Sequence, residues 1–129
     1  MKLFLDTNIL VAAVTDDTDR SDQATTLLNE FDDTYVSVLS LMELRCVLTK
    51  KKEFDRDRME QIENRITSRA TISFLDSSDV MAANRVQSET LLYPMDALLL
   101  AAANAVDATL VTFDSELLGH GAELPKNVQ

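Results

Sequence analysis

Four acidic residues of this chain sit where a carboxylate can do chemistry: Asp6, Glu43, Asp96 and Asp114. Asp6 closes the apolar run Leu3-Phe4-Leu5, and Asp114 closes Thr109-Leu110-Val111-Thr112-Phe113. Glu43 lies in Leu39-Ser40-Leu41-Met42-Glu43-Leu44, and Asp96 opens Pro94-Met95-Asp96-Ala97-Leu98-Leu99-Leu100. Four anions gathered at one place repel, so either their pKa values rise or a cation neutralises them. The chain has a single histidine, His120, and a single cysteine, Cys46, which leaves almost no room for zinc chemistry of the His/Cys type. Oxygen ligands alone select hard ions such as Mg²⁺ or Mn²⁺. Such ions clamp phosphate oxygens and activate water, so the chemistry implied is phosphodiester hydrolysis.

Each acid also has a structural reading. Asp6 and Asp114 can cap the helices that follow them. Glu43 can close a capping box with Ser40. Asp96, just after Pro94, can be a first-turn acid favoured by the helix dipole. That last reading is the weakest, because the helix after Asp96 is apolar nearly all round and an ionised carboxylate buried in it is costly unless paired or metal-bound. Asp16, Asp17, Asp19, Asp32, Asp33, Asp76 and Asp79 cluster at helix starts and turns and read as caps and solvated charge. His120, between two glycines, reads as a solvated loop residue, and Cys46 as a small core residue.

The elements that must position these acids follow from periodicity. Strands are expected at 2–5, 34–38, 71–75 and 109–113. Helical segments are expected at 9–14, 19–31, from a Ser40 cap to about Lys50, at 55–70, from Ser77 or Ser78 to Glu89, at 94–105 and at 115–118. Strands alternate with helices throughout, which implies one α/β domain over 1–129: a mainly parallel sheet of four to five strands with helices on both faces. In a parallel sheet the ends of the first and fourth strands share an edge, and a helix leading into a strand starts at that edge. Asp6, Glu43, Asp96 and Asp114 therefore converge on the crevice where open α/β sheets bind ligands.

Composition narrows the class. The 129 residues are 46% hydrophobic, enough for a buried core and against disorder. No apolar run is long enough for a signal peptide or a membrane span, so a soluble cytoplasmic protein is expected. The net charge of −10 argues by itself against nucleic-acid binding and suits a high-salt cytoplasm. Lys50, Lys51 and Lys52, with Arg45 nearby, interrupt the acidity. They read either as a positive rim for RNA phosphates or as a helix C-terminus stabilised by its dipole.

Leu3-Phe4-Leu5-Asp6-Thr7-Asn8-Ile9-Leu10 resembles the opening of PIN-domain nucleases, and so do Ser40-x-x-Glu43-Leu44, Asp96-Ala97-x-x-x-Ala101 and Val111-Thr112-x-Asp114. The four motifs occur in the family's order and span nearly the whole chain. The short length is similar to that of VapC-type toxins of prokaryotic toxin–antitoxin pairs. The resemblance implies a PIN-like domain with Mg²⁺- or Mn²⁺-dependent endoribonuclease activity. In it Asp6 and Asp96 are the principal metal ligands, and Asp114 and Glu43 complete the site, Asp114 through water. Thr112 orients Asp114 or a bound water, and Asn8 supports Asp6. It further implies a homodimer held inactive by a cognate antitoxin. Tyr93-Pro94-Met95 is plainer than the polar residue that family members often carry before the Asp96 position. The rival reading is a catalytically weak PIN-like binding or regulatory module. Phosphatase chemistry on Asp6 is disfavoured, because Asp6-Thr7-Asn8 lacks a second acid two residues on to serve as general acid–base.

Overall fold

Leu3-Phe4-Leu5 is buried on both sides, as expected of a strand in the middle of a parallel sheet. In the computed structural model, which describes residues 1–15 and 18–129, this run forms β1 (Leu3–Leu5). It pairs in parallel with β2 (Thr34–Ser37) on one side and β4 (Thr109–Val111) on the other, and β3 (Thr71–Ser73) joins β2 to give the order β3-β2-β1-β4. The expectation of four to five strands resolves to four, with Glu123 adding an isolated parallel bridge to Val111.

The alternation of side chains along β1 divides the core. Leu3 and Leu5 pack with residues of α1 (Thr7–Val14), α2 (Thr18–Glu30), α3 (Val38–Lys50) and α4 (Arg56–Arg69). Phe4 faces the other way, onto Leu99 and Ala103 of α6 (Pro94–Ala105), Leu110, and Leu117 of α7 (Ser115–Leu118). Against α6 lies α5 (Ser77–Glu89), through the small residues Ala83, Ala97 and Ala101. Leu5 is fully buried beside Asp6, and truncating such a leucine to alanine costs about 2–5 kcal/mol.

Four expectations are corrected. First, β4 stops at Val111 rather than Phe113, because the next two amides are used elsewhere: Thr112 N–H donates to the Glu123 carbonyl and Phe113 N–H to the Asn8 side chain. Second, α3 starts at Val38, capped by Ser37, whose hydroxyl accepts from Leu39 N–H at 3.1 Å. Third, Ser40 is thus inside the helix with its hydroxyl buried and unpartnered, so no Ser40–Glu43 capping box forms. Glu43 is the sixth helical residue, about 7.5 Å along the axis from Val38. Fourth, Cys46 is exposed rather than in the core.

The other acids mostly serve as caps. Asp76 and Asp79 form a reciprocal capping box at α5, and Asp55 caps α4. Asp32 and Asp33 are exposed before β2, and His120 is exposed after α7. Asp16 and Asp17 lie outside the described residues. Among the described residues no helix is long and apolar enough to cross a membrane.

Candidate metal site

The end of β1 is tied to the end of β4 by Asp6 N–H, which donates to the Val111 carbonyl at 3.0 Å. The Asp6 carboxylate is 7% exposed and carries two duties. Its Oδ1 accepts from Thr7 N–H at 2.7 Å and caps α1; its Oδ2 accepts from the Thr112 hydroxyl at 2.8 Å. Thr112, fully buried, in turn accepts from Asn8 Nδ2 and from Asp114 N–H, each at 3.0 Å. Asn8 Oδ1 accepts from Phe113 N–H at 3.1 Å. Asp6, Asn8, Thr112 and Asp114, which come from opposite ends of the sequence, thus form one hydrogen-bonded knot.

Asp114 also has a double role. Its Oδ1 accepts from Glu116 N–H at 2.9 Å and caps α7. The helix-cap readings of Asp6 and Asp114 and their readings as site residues therefore hold together. Each cap engages one carboxylate oxygen, and a carboxylate has lone pairs to spare. Asp96 lies in the first turn of α6, where the start is set by Pro94 and Tyr93 provides no side-chain cap.

The electrostatics place the acids in one neighbourhood. Burial raises the Asp6 pKa; the hydrogen bonds from Thr112 and Thr7 oppose the rise, and the charges of Glu43 and Asp114 add to it. Asp96 is pushed up to about 6, first by burial and then by the charges of Asp114, Asp6, Glu116 and Glu43. None of these carboxylates has an ion-pair partner among the described residues; the ion pair found there joins Arg45 to Glu63. Glu116 is a site neighbour that the sequence reading passed over. The available signal was the Asp114 cap, which brings Glu116, two residues on, back toward the same edge.

The donor set fits a hard divalent cation: oxygens only, mutually repelling, and without an ion-pair partner among the described residues. Among the described residues no three His, Cys, Asp or Glu side chains stand close enough together to form a ready-made cation cage. A Mg²⁺ site needs no such cage, since that ion keeps several waters and takes one or two carboxylates together with substrate phosphates.

The basic residues divide. Arg45 is engaged by Glu63 of α4, Lys50 ends α3, and Lys51 is its C-cap. Lys52 lines a cavity of about 270 Å³ that Asn8 and Glu43 also line. Arg20 lines it too, with its guanidinium 4.7 Å from the centre of the Phe113 ring. Nothing in the local sequence around Arg20 announces that position, because α2 brings it there only on packing.

A four-stranded parallel α/β domain in which Thr112 links Asp6, after β1, to Asp114, after β4, defines the class. The PIN domain family model matches residues 3–121, and the chain belongs to that family. No curated protein sequence matches the chain. Among solved structures, a toxin–antitoxin complex from Klebsiella pneumoniae aligns with a TM-score of 0.78 at 20% identity, covering 97% of this chain and 98% of that one. VapC20 of Mycobacterium tuberculosis, a toxin that cleaves the sarcin–ricin loop, aligns with a TM-score of 0.76 at 16% identity, covering 94% and 96%. VapBC2 of Rickettsia felis, bound to a promoter DNA fragment, aligns with a TM-score of 0.69 at 22% identity, covering 96% and 97%.

Proposed function

We propose that this chain is a Mg²⁺- or Mn²⁺-dependent endoribonuclease and the toxin of a cytoplasmic toxin–antitoxin pair. The observation that carries the reading is the shared acidic edge. Asp6, Glu43, Asp96 and Asp114 come from four separate stretches, the charges of Glu43 and Asp114 act on the ionisation of both Asp6 and Asp96, and none of the four has an ion-pair partner among the described residues. Asp6 and Asp96 are the principal ligands in this reading, and Asp114 and Glu43 complete the site. When bound, the cation supplies Lewis acidity and an activated water. Thr112 and Asn8 hold the Asp6 carboxylate and the Asp114 turn in fixed orientation. The similarity to toxin–antitoxin complexes along the full length of both chains supports the toxin assignment and an antitoxin partner. The proposal includes a homodimer: Val80, Met81, Leu91 and Tyr93, on α5 and the connection to α6, are exposed apolar side chains of the kind that mark interfaces.

The test is cleavage of single-stranded and structured RNAs with Mg²⁺ or Mn²⁺, set beside calorimetric titration with Mn²⁺ alone. Metal binding and metal-dependent cutting are expected, and both are lost on chelation. Undiminished cutting in excess EDTA sinks the proposal. Absence of Mn²⁺ binding favours the catalytically weak binding module instead.

A further inference from the structure

The cavity beside the acidic edge holds a feature that the metal reading leaves unused. Thr7, which follows Asp6 and lines the cavity, is 4% exposed, and its hydroxyl has no hydrogen-bond partner. A buried hydroxyl without a partner is costly, and a ligand group would satisfy it. The cavity has an apolar lining in Val11, Ala12 and Val47. Two cations, Arg20 and Lys52, also line it, in a protein whose net charge is −10. Arg20 lies over the Phe113 ring and is itself exposed, so its planar guanidinium extends an aromatic surface outward.

We propose that this cavity is a nucleoside subsite, holding one base of the RNA strand next to the scissile phosphodiester. The inference rests on the ribonuclease reading above and adds to it the residues that choose the flanking nucleotide. Unpaired bases are recognised by stacking on aromatic rings or arginine planes and by hydrogen bonds at their edges, and Arg20, Phe113 and Thr7 supply both. Lys52 and Arg20 offer charge to the phosphates on either side of the base. The volume, about 270 Å³, falls just below the roughly 300–1,000 Å³ of sites that enclose drug-sized ligands, so it suits a single nucleoside rather than a length of strand. Asn8 and Glu43 line it as well, which sets the bound base directly beside the metal candidates.

The test uses methyl-labelled full-length protein in EDTA, titrated separately with AMP, GMP, CMP and UMP and followed by NMR. At least one nucleotide is expected to shift the methyls of Thr7, Val11 and Val47 in a saturable way. Arg20→Ala, at an exposed position that leaves the core intact, should weaken that binding about five- to hundredfold, the range that stacking on one base supplies. Val47→Phe, which fills the cavity, should abolish it. A cavity silent to all four nucleotides belongs to a protein partner or to no ligand, and overturns the proposal; so do shifts that survive both variants. The titration involves neither metal nor turnover. A protein that cuts RNA but shows no such shifts keeps the nuclease reading and loses the subsite, whereas one that binds a nucleotide but never cuts does the reverse. With active protein, Arg20→Ala should also flatten the cleavage preference across RNAs that differ only at the nucleotides flanking the cut.

Discussion

Asp6 and Asp96 lie within electrostatic reach of one another and are held in opposite ways. Asp6 is buried at the junction of β1, β4 and α1, with Thr7 and Thr112 each donating to one of its oxygens. Asp96 stands in the first turn of α6, with the repulsion of four other carboxylates on it. The Asp6 side is built before any ligand arrives, because its hydrogen bonds also hold the chain together at the centre of the sheet. The Asp96 side carries unbalanced charge, and the added cation is what would balance it. The contrast separates what fixes a ligand's position from what makes its binding favourable.

The sharpest way to break this comparison is to remove each charge. Asp6→Asn and Asp96→Asn should each lower RNA cleavage by at least about a thousandfold, given the several kcal/mol that a bound ion supplies. Far-ultraviolet circular dichroism should remain that of the wild type. If either variant still cuts at the wild-type rate, its residue is not a ligand and the two sides are not parts of one site.

Thr112 tests the built side. Thr112→Val removes the donor to Asp6 and the acceptor for Asn8 and Asp114 N–H. Loss of such an orienting partner costs about 10- to 100-fold in metal affinity. Because that hydrogen bond lowers the Asp6 pKa, the variant should also need a higher pH for half-maximal Mn²⁺ binding. Thr112→Ser, which keeps the hydroxyl, should restore both. Affinity that falls with no movement of the pH profile would reduce Thr112 to a packing role.

Linkage tests the unbalanced side. Asp96, with a pKa of about 6 against 3.8 for the ordinary group, binds its proton more tightly in the folded chain than in the unfolded one. Between those two values the folded state carries more protons, so stability falls as pH rises through the window. In EDTA the Tm of the wild type should drop by about 1–3 °C across that window, a small shift because solvent screens a half-exposed group. Asp96→Asn should lack this component, and Mn²⁺ should reverse it above the window. A Tm that climbs with pH in wild type and not in Asp96→Asn would overturn the assignment.

The smallest effect concerns the double duty of Asp114. Asparagine caps helices about as well as aspartate, so Asp114→Asn should leave stability within about 0.5 kcal/mol while lowering the Asp96 pKa, read by NMR titration. Asp114→Ala should cost about 1 kcal/mol as well. Equal stability of the two variants would mean that the α7 cap contributes nothing.

Much of the fold was legible because local patterns carried it. Leu3-Phe4-Leu5 and the Pro94 start of α6 announce themselves within a few residues and appear where expected; Asp76 and Asp79, read as caps or solvated charge, turn out to close a reciprocal capping box on α5. Boundaries failed where two local signals competed. Ser40 reads as the cap in the sequence, but Ser37 takes the role because the β2 ladder ends on it. The apolar pattern runs through Phe113, yet Phe113 N–H goes to Asn8, a partner 105 positions away that no window contains.

The sequence by itself determined the groups available to this protein: carboxylate oxygens with one histidine and one cysteine, and an alternation of strand and helix that puts Asp6 and Asp114 after neighbouring parallel strands. Tertiary structure alone decided how each acid is held. Burial, the knot of Asn8 and Thr112 on Asp6, the arrival of Glu116 beside Asp96 and of Arg20 over Phe113 all depend on through-space distances. Electrostatic and hydrogen-bond energies fall off with those distances, which residue spacing along the chain does not specify.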